Sequence, residues 1–287
     1  MAKFFLNTEE WALVAATMLW GATFLIIRLA MTAGGPLCFV GLRFSAAALF
    51  VIILALPVLR GITRREIIGG VILGCTVFLG FTLQTYGLVT ISAAKSAFIT
   101  AFYVPLVPIF ELCLMRHKPS KLAWVGIALA FPGVLILSGA TDLDVGLGAG
   151  EIATIISAVV FALEIVAIGI IAPGTNPRRL VAVELVVTAL FAFASMPLLQ
   201  EPWPPFSWFF VGIAIGLGCV TALIQNLITW AQKRIPPTRA TIIYTGEPVW
   251  AAIYSYIIFN DLQYNTLIGG SFIIGGILIS SIKKEAK

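Results

Sequence analysis

The chain is made almost entirely of apolar stretches of roughly 20 residues, separated by short connections that contain Gly, Pro or charged residues. A helix needs about 20 apolar residues to cross a bilayer core. Short connections make consecutive helices antiparallel neighbours. The sequence therefore predicts an all-α integral membrane protein with ten transmembrane helices. The predicted spans are residues 11–32, 36–57, 67–90, 94–114, 122–140, 149–171, 180–199, 207–231, 238–258 and 266–282.

Composition excludes a soluble protein. Of the 287 residues, 60% are hydrophobic and 11% are charged, too few to cover a soluble surface. The four cysteines lie in apolar stretches without the spacing of metal ligands, and the single histidine, His117, lies in a basic connection without a catalytic partner. We therefore predict no metal site, no cofactor and no nucleic-acid partner; the predicted partners are a small solute and the lipid bilayer.

Among the residues of the connections and tails, Lys and Arg are confined to one side of the predicted topology; Arg28 and Lys95 lie at span ends on the other side. Every second connection carries Lys or Arg and both tails carry Lys, whereas the opposite connections carry four acidic residues and no Lys or Arg. The basic residues are Arg60, Arg64, Arg65, Arg116, Lys118, Lys121, Arg178, Arg179, Lys233 and Arg234, with Lys3, Lys283, Lys284 and Lys287 on the tails. The acidic residues are Asp142, Asp144, Glu201 and Asp261. Because Lys and Arg mark the cytoplasmic side, both termini are predicted to be cytoplasmic, with five spans in each half.

The two halves of the chain share residues at a nearly constant spacing. At an offset of 143 positions, the matches are Gly126 with Gly269, Gly133 with Gly276, Leu135 with Leu278, Ile136 with Ile279 and Pro105 with Pro248. Some matches are expected by chance, because Gly, Pro and Leu are common in membrane helices. Five spans per copy would invert the second copy, as in secondary transporters. The predicted repeats are residues 1–143 and 144–287.

Some charged residues and prolines lie inside or at the ends of spans. Arg43 lies deep in the second span, and its counterpart in the second half is Glu184. Glu247 lies in the ninth span beside Pro248, and a carboxylate at that depth is protonated, paired or hydrated. For these residues, a role in coupling and a structural role both stay open. For Arg43 the structural role would be an ion pair. The candidate hinge or coupling residues are Pro105, Glu247, Pro248 and Arg43.

Polar and aromatic residues lie at intermediate depth in equivalent spans of the two halves. Amide and hydroxyl groups beside aromatic faces suit a small zwitterion or an aromatic solute. The alternative is that buried Gln and Tyr side chains bond neighbouring helices. The candidate substrate-binding residues are Trp20, Phe24, Gln84, Phe98, Tyr103, Glu164, Gln225, Asn226 and Tyr244.

The chain resembles the EamA branch of the drug/metabolite transporter superfamily over nearly its whole length. The residues that carry the resemblance are Trp20, Gly21, Thr23, Phe24, Pro36, Arg43, residues 86–88 and 92–94, Pro105, and residues 246–249, 268–270 and 275–276. Within that branch it is most similar to YddG-like exporters of aromatic and other amino acids. The resemblance implies a bacterial inner membrane protein. Lys118 departs from the family pattern, which has an acidic residue there.

These features predict a secondary transporter that exports small metabolites, most of all aromatic or other neutral amino acids, by alternating access. The alternatives are transport of drugs or phosphorylated metabolites, or a scaffold or receptor without transport. An enzyme is not predicted, because the spans contain no Ser and His pair, no paired aspartates and no HExxH. Coupling to protons through Glu164, Glu184 or Glu247 and simple facilitated efflux fit the sequence equally well.

Overall fold

In the computed structural model, residues 6–137, 148–259 and 264–282 are described. All regular structure within these ranges is helical, which confirms the all-α prediction. The α-helices are α1 Thr8–Trp20, α2 Thr23–Ala30, α3 Pro36–Leu59, α4 Arg64–Thr90, α5 Ala93–Thr100, α6 Tyr103–Phe110, α7 Lys121–Leu137, α8 Ala149–Ile171, α9 Pro177–Leu198, α10 Trp208–Gln232, α11 Pro237–Tyr244, α12 Glu247–Phe259 and α13 Tyr264–Ser281. A π-helical turn, Glu111–Met115, follows α6.

Each predicted span coincides with one helix or with an interrupted run of helices. The interrupted runs are α1 with α2, α5 with α6 and the π-helical turn, and α11 with α12. Six spans in the described ranges are long and apolar enough to cross a membrane: Pro36–Leu59, Arg64–Thr90, Lys95–Met115, Ala149–Ile171, Pro177–Leu198 and Trp208–Gln232. The count of ten stays a prediction. Residues 138–140 of the fifth span, the tail lysines, Asp142, Asp144 and Asp261 lie outside the described residues.

At the start of several helices, side chains accept hydrogen bonds from backbone N–H groups that have no backbone acceptor. In α1 the Asn7 side chain accepts a hydrogen bond from the Glu10 N–H, and the Glu10 carboxylate accepts one from the Asn7 N–H. Thr63 and Glu66 form the same reciprocal cap at the start of α4. These caps satisfy two of the N–H groups left free at a helix start. They explain why acidic residues occur at these helix starts.

Helices from the two halves of the chain pack mainly on one another. The largest contacts join α7 to α13 and α3 to α9, and each pair occupies corresponding places in the two halves. Contacts of α4 with α9 and α8 have counterparts in those of α10 with α3 and α1. This reciprocal packing is the pattern that two equivalent halves would produce.

The glycines that recur in the sequence lie at the contact between α7 and α13. A Cβ atom on Gly133 would lie 2.7 Å from the Gly269 carbonyl oxygen, and one on Gly276 would lie 2.6 Å from the Gly126 carbonyl oxygen. Real Cβ atoms do not approach so closely, and both oxygens belong to backbone that cannot move aside. Glycine therefore allows these two helices to pack backbone against backbone, as small residues do between membrane helices.

Replacing Gly276 by Leu should destabilise this contact, whereas Gly275→Leu should not. Gly275 lies next to Gly276 in α13, and a Cβ atom there would meet nothing within 4 Å in the described residues. Overpacking typically costs about 1–3 kcal/mol. We expect a lower unfolding temperature in detergent for Gly276→Leu only. Equal melting of the two variants would contradict this assignment of the contact.

Candidate substrate cavity

The three interruptions between helices meet at one cavity. Each interruption contributes the last residue of one helix and the first residue of the next to the cavity wall. These residues are Trp20 and Thr23, Thr100 and Tyr103, and Tyr244 and Glu247. Backbone groups freed at a break have to find other partners, and in a membrane such breaks are tolerated where they line a cavity. Binding sites formed by discontinuous helices are a recurring feature of secondary transporters.

Two prolines account for two of the interruptions. Pro105 is the third residue of α6, and Pro248 is the second residue of α12. Proline has no N–H to donate and its ring clashes with the carbonyl four residues earlier, but it is well tolerated in the first turn of a helix. In each case the helix is therefore interrupted before the proline and begins again around it. The interruption after α1 falls at Gly21, whose added Cβ would lie 2.9 Å from the Ala251 backbone nitrogen.

The rest of the wall comes from three continuous helices. The lining residues from α4 are Phe81 and Gln84, those from α8 are Phe161, Glu164, Ile165 and Ile168, and α10 contributes Ile228. About 600 Å³ of space, part of it open to solvent, lies between these side chains. The two halves of the chain contribute almost equally.

The cavity is acidic, with no basic lining residue among those described. Two lining residues, Glu164 and Glu247, carry carboxyl groups. The amide nitrogen of Gln225 lies behind the wall, 3.4 Å from Oε1 of Glu164 and 2.5 Å from Oε1 of Glu184. Gln225 thus links a carboxyl group of the cavity to one that is fully buried. Such an arrangement favours a positively charged group in the cavity.

Aromatic rings and uncharged polar groups complete the wall. Trp20 and Tyr244 meet edge to face with ring centroids 5.4 Å apart, and Phe81 meets Phe161 in the same way at 5.2 Å. The Tyr244 hydroxyl donates to Gln232, and Gln84 donates to the Thr100 hydroxyl. These hydrogen bonds hold the Tyr244 and Gln84 side chains in defined positions.

The structure places five of the nine candidate binding residues at the cavity: Trp20, Gln84, Tyr103, Glu164 and Tyr244. Gln225 lies behind Glu164, and the Asn226 side chain donates to the Ala222 carbonyl of its own helix. Phe98 packs against Phe102 and is not one of the described lining residues. Phe24 lies in α2, but its side chain is outside the described residues.

Seven further lining residues are not among the candidates identified from the sequence. The additional residues are Thr23, Phe81, Thr100, Phe161, Ile165, Ile168 and Ile228. Two of these could have been found by following one helical face, because Phe81 lies three residues before Gln84 and Phe161 three before Glu164. Ile168, four residues after Glu164, and Ile228, three after Gln225, share this spacing, but an apolar residue in a membrane helix fits packing and ligand contact equally well.

Arg43 is fully buried behind this wall. Its Nε donates to the Thr221 hydroxyl at 2.8 Å, and its guanidinium lies 5.0 Å from the centre of the Phe81 ring. No carboxylate of the described chain pairs with Arg43, so the ion pair considered from the sequence is not found there.

Two ion pairs each join the start of one helix to the start of another. Lys95 in α5 lies 2.5 Å from Glu151 in α8, and Arg239 in α11 lies 2.8 Å from Glu10 in α1. All four are the third residues of their helices. The two pairs therefore occupy corresponding places in the two halves of the chain.

Comparisons with known proteins agree with this architecture. An uncharacterized transporter from Archaeoglobus fulgidus is 29% identical over 271 residues, which cover 92% of this chain and 81% of that protein. The uncharacterized inner membrane transporter YedA of Escherichia coli K12 is 28% identical over 258 residues, covering 84% of this chain and 80% of YedA. A protein with a solved crystal structure, 18% identical, superposes with a TM-score of 0.77 over 96% of this chain and 97% of its own. The similarity to this crystal structure shows a shared fold.

The sequence model of the EamA-like transporter family matches residues 8–139 and residues 148–282. These two stretches cover almost the whole described chain. The relatives are named as transporters, which agrees with the expectation of a membrane transport protein rather than an enzyme. The chain therefore belongs to the EamA-like transporter family.

Proposed function

We propose that this protein is a secondary transporter that exports small solutes bearing an amino group, above all aromatic and other neutral amino acids, across the bacterial inner membrane. The main support for this proposal is the cavity at which three interrupted helices meet. YddG-like exporters are the group that the sequence resembles, and the amino-acid substrate rests on that resemblance together with the chemistry of the wall.

The lining residues favour an amine over a phosphate ester. Glu164 and Glu247 can bind an ammonium group, and the rings of Trp20, Tyr103 and Tyr244 offer apolar and π surfaces to an aromatic side chain. A phosphorylated metabolite would require cationic lining groups, of which the described wall has none. Hydrophobic cationic drugs are the second candidate, because the same acidic and aromatic wall would accept them.

Alternating access by two inverted halves is the simplest mechanism of transport for this chain. Support comes from the two stretches that match the family, from the reciprocal packing of the helices and from the corresponding ion pairs. Three predicted spans separate the start of α1 from the start of α5, so the two ion pairs would lie at opposite ends of the bundle. The basic connections put the Glu10 and Arg239 pair at the cytoplasmic end. Breaking one pair at a time then opens the cavity alternately to each side.

Glu164 is the residue best placed to couple transport to protons. It is 5% exposed, lines the cavity and shares an amide with the buried Glu184. A carboxyl group in that position alternates readily between holding a proton and holding a cationic solute. Glu247 also lines the cavity, whereas Glu184 is out of direct reach of a solute.

Counterflow in liposomes tests the proposed function. Purified protein, preloaded with unlabelled L-phenylalanine, should accumulate external radiolabelled L-phenylalanine transiently and saturably, and an imposed pH gradient should change the rate if protons are coupled. Protein-free liposomes are the control. Unsaturable flux would indicate a channel, and counterflow of a hydrophobic cation without any of L-phenylalanine would favour the drug alternative. Absence of both would contradict the proposal.

The two ion pairs should control opposite ends of the cavity. In a chain whose native cysteines are replaced, Thr100→Cys places a thiol on the cavity wall. We expect Glu10→Gln to increase its labelling by an impermeant maleimide several-fold from the cytoplasmic side, and Glu151→Gln to do so from the other side.

Glu9→Gln is the matched control for Glu10→Gln. Glu9 pairs with Arg234, whose side chain is 76% exposed, and exposed ion pairs contribute little. We expect little change in labelling from this variant. Increased labelling from the same side by both Glu10→Gln and Glu151→Gln would refute the alternating role.

A further inference from the structure

Arg43 carries a buried charge that the described chain does not neutralise. The residue is 1% exposed, its Nε donates to Thr221, and its Nη2 has no hydrogen-bond partner in the described residues. Its guanidinium lies over two rings, 5.6 Å from the centre of Phe44 and 5.0 Å from that of Phe81. Ring faces compensate only part of the cost of an unpaired buried charge. Arg43 therefore keeps unused capacity to bind an anion.

One side chain, Phe81, lies next to both this guanidinium and the cavity. Phe81 lines the cavity and also covers Arg43, and its other ring contacts are edge-to-face with Phe44 and Phe161. Edge-to-face contacts are weak individually, so rotation of one phenylalanine side chain is a small change compared with a helix movement. Such a rotation would open a path between the guanidinium and the cavity.

We propose that Arg43 is the subsite for the carboxylate of the transported solute, and that Phe81 closes this subsite when the cavity is empty. A guanidinium can bind a carboxylate through two parallel hydrogen bonds, and Nη2 is the donor without a partner in the described residues. While Arg43 binds the carboxylate, Glu164 and Glu247 bind the ammonium group of the same solute. This inference rests on the proposed function: a zwitterion requires a cationic partner, and the described cavity wall has none.

The test compares L-phenylalanine with phenethylamine, which has the same ring and amino group but no carboxylate. Saturable uptake of each is measured in liposomes for the wild type and for Arg43→Gln. One charged, bidentate contact corresponds to a preference of about tenfold or more. We expect the wild type to prefer L-phenylalanine by that factor and Arg43→Gln to lose the preference. Arg43→Lys should restore only part of it, because an ammonium cannot form the planar pair.

A second variant tests the role of Phe81 without changing Arg43. Phe81→Ala uncovers the guanidinium permanently, so the preference for L-phenylalanine over phenethylamine should rise several-fold. Ile228→Ala is the matched control: it also removes apolar volume from the cavity wall, and it has no contact with the guanidinium among those described. We expect this control to shift uptake of both solutes alike and to leave their ratio unchanged.

The outcomes separate this subsite from the proposed function. If Arg43→Gln lowers uptake of both solutes equally and Phe81→Ala leaves the ratio unchanged, Arg43 is structural and the subsite is refuted. A wild type that carries phenethylamine but not L-phenylalanine also refutes the subsite, while transport of amines stands. A wild type that carries neither solute overturns the proposed function and the subsite together.

Discussion

The hydrocarbon core of a membrane offers no hydrogen bonds to a peptide backbone, which limits where a helix of this chain can break. A helix can be interrupted there only where water, protein or a bound solute reaches the exposed backbone groups. In this chain the breaks after α1, α5 and α11 all open onto one cavity. The same breaks supply six of its lining residues, so the position of the site follows from where the helices can end.

The remaining helices hold these breaks in place. Glycines let α7 and α13 pack backbone against backbone, and α3, α4, α9 and α10 pack across the boundary between the halves. Within this frame, the ion pairs of Glu10 with Arg239 and Glu151 with Lys95 are the contacts best suited to break and re-form, since each lies at helix starts rather than deep in the packed core. Packing thus provides rigidity, and the helix starts provide the freedom that the proposed alternating access would require.

The helices were largely predictable, because apolar length and punctuation by Gly, Pro and charge are local signals. Polar residues such as Gln84 and Glu164 could be placed at the cavity for the same reason: polarity inside a membrane helix is rare. Ile165 and Ile228 were harder to place, since apolar residues face lipid, protein and ligand alike. The surroundings of Arg43 were also beyond reach, because its contacts to Thr221 and Phe81 bring together residues from three helices far apart in sequence.

In the proposed mechanism, the second half of the chain lies inverted relative to the first around a shared cavity. Thr8 and Ala149 are exposed residues at the starts of the corresponding helices α1 and α8. Single cysteines at these positions, in a chain without the native cysteines, can be labelled with an impermeant maleimide in intact cells. Inversion predicts labelling of Ala149→Cys from outside and of Thr8→Cys only after permeabilisation. Labelling of both from the same side would contradict it.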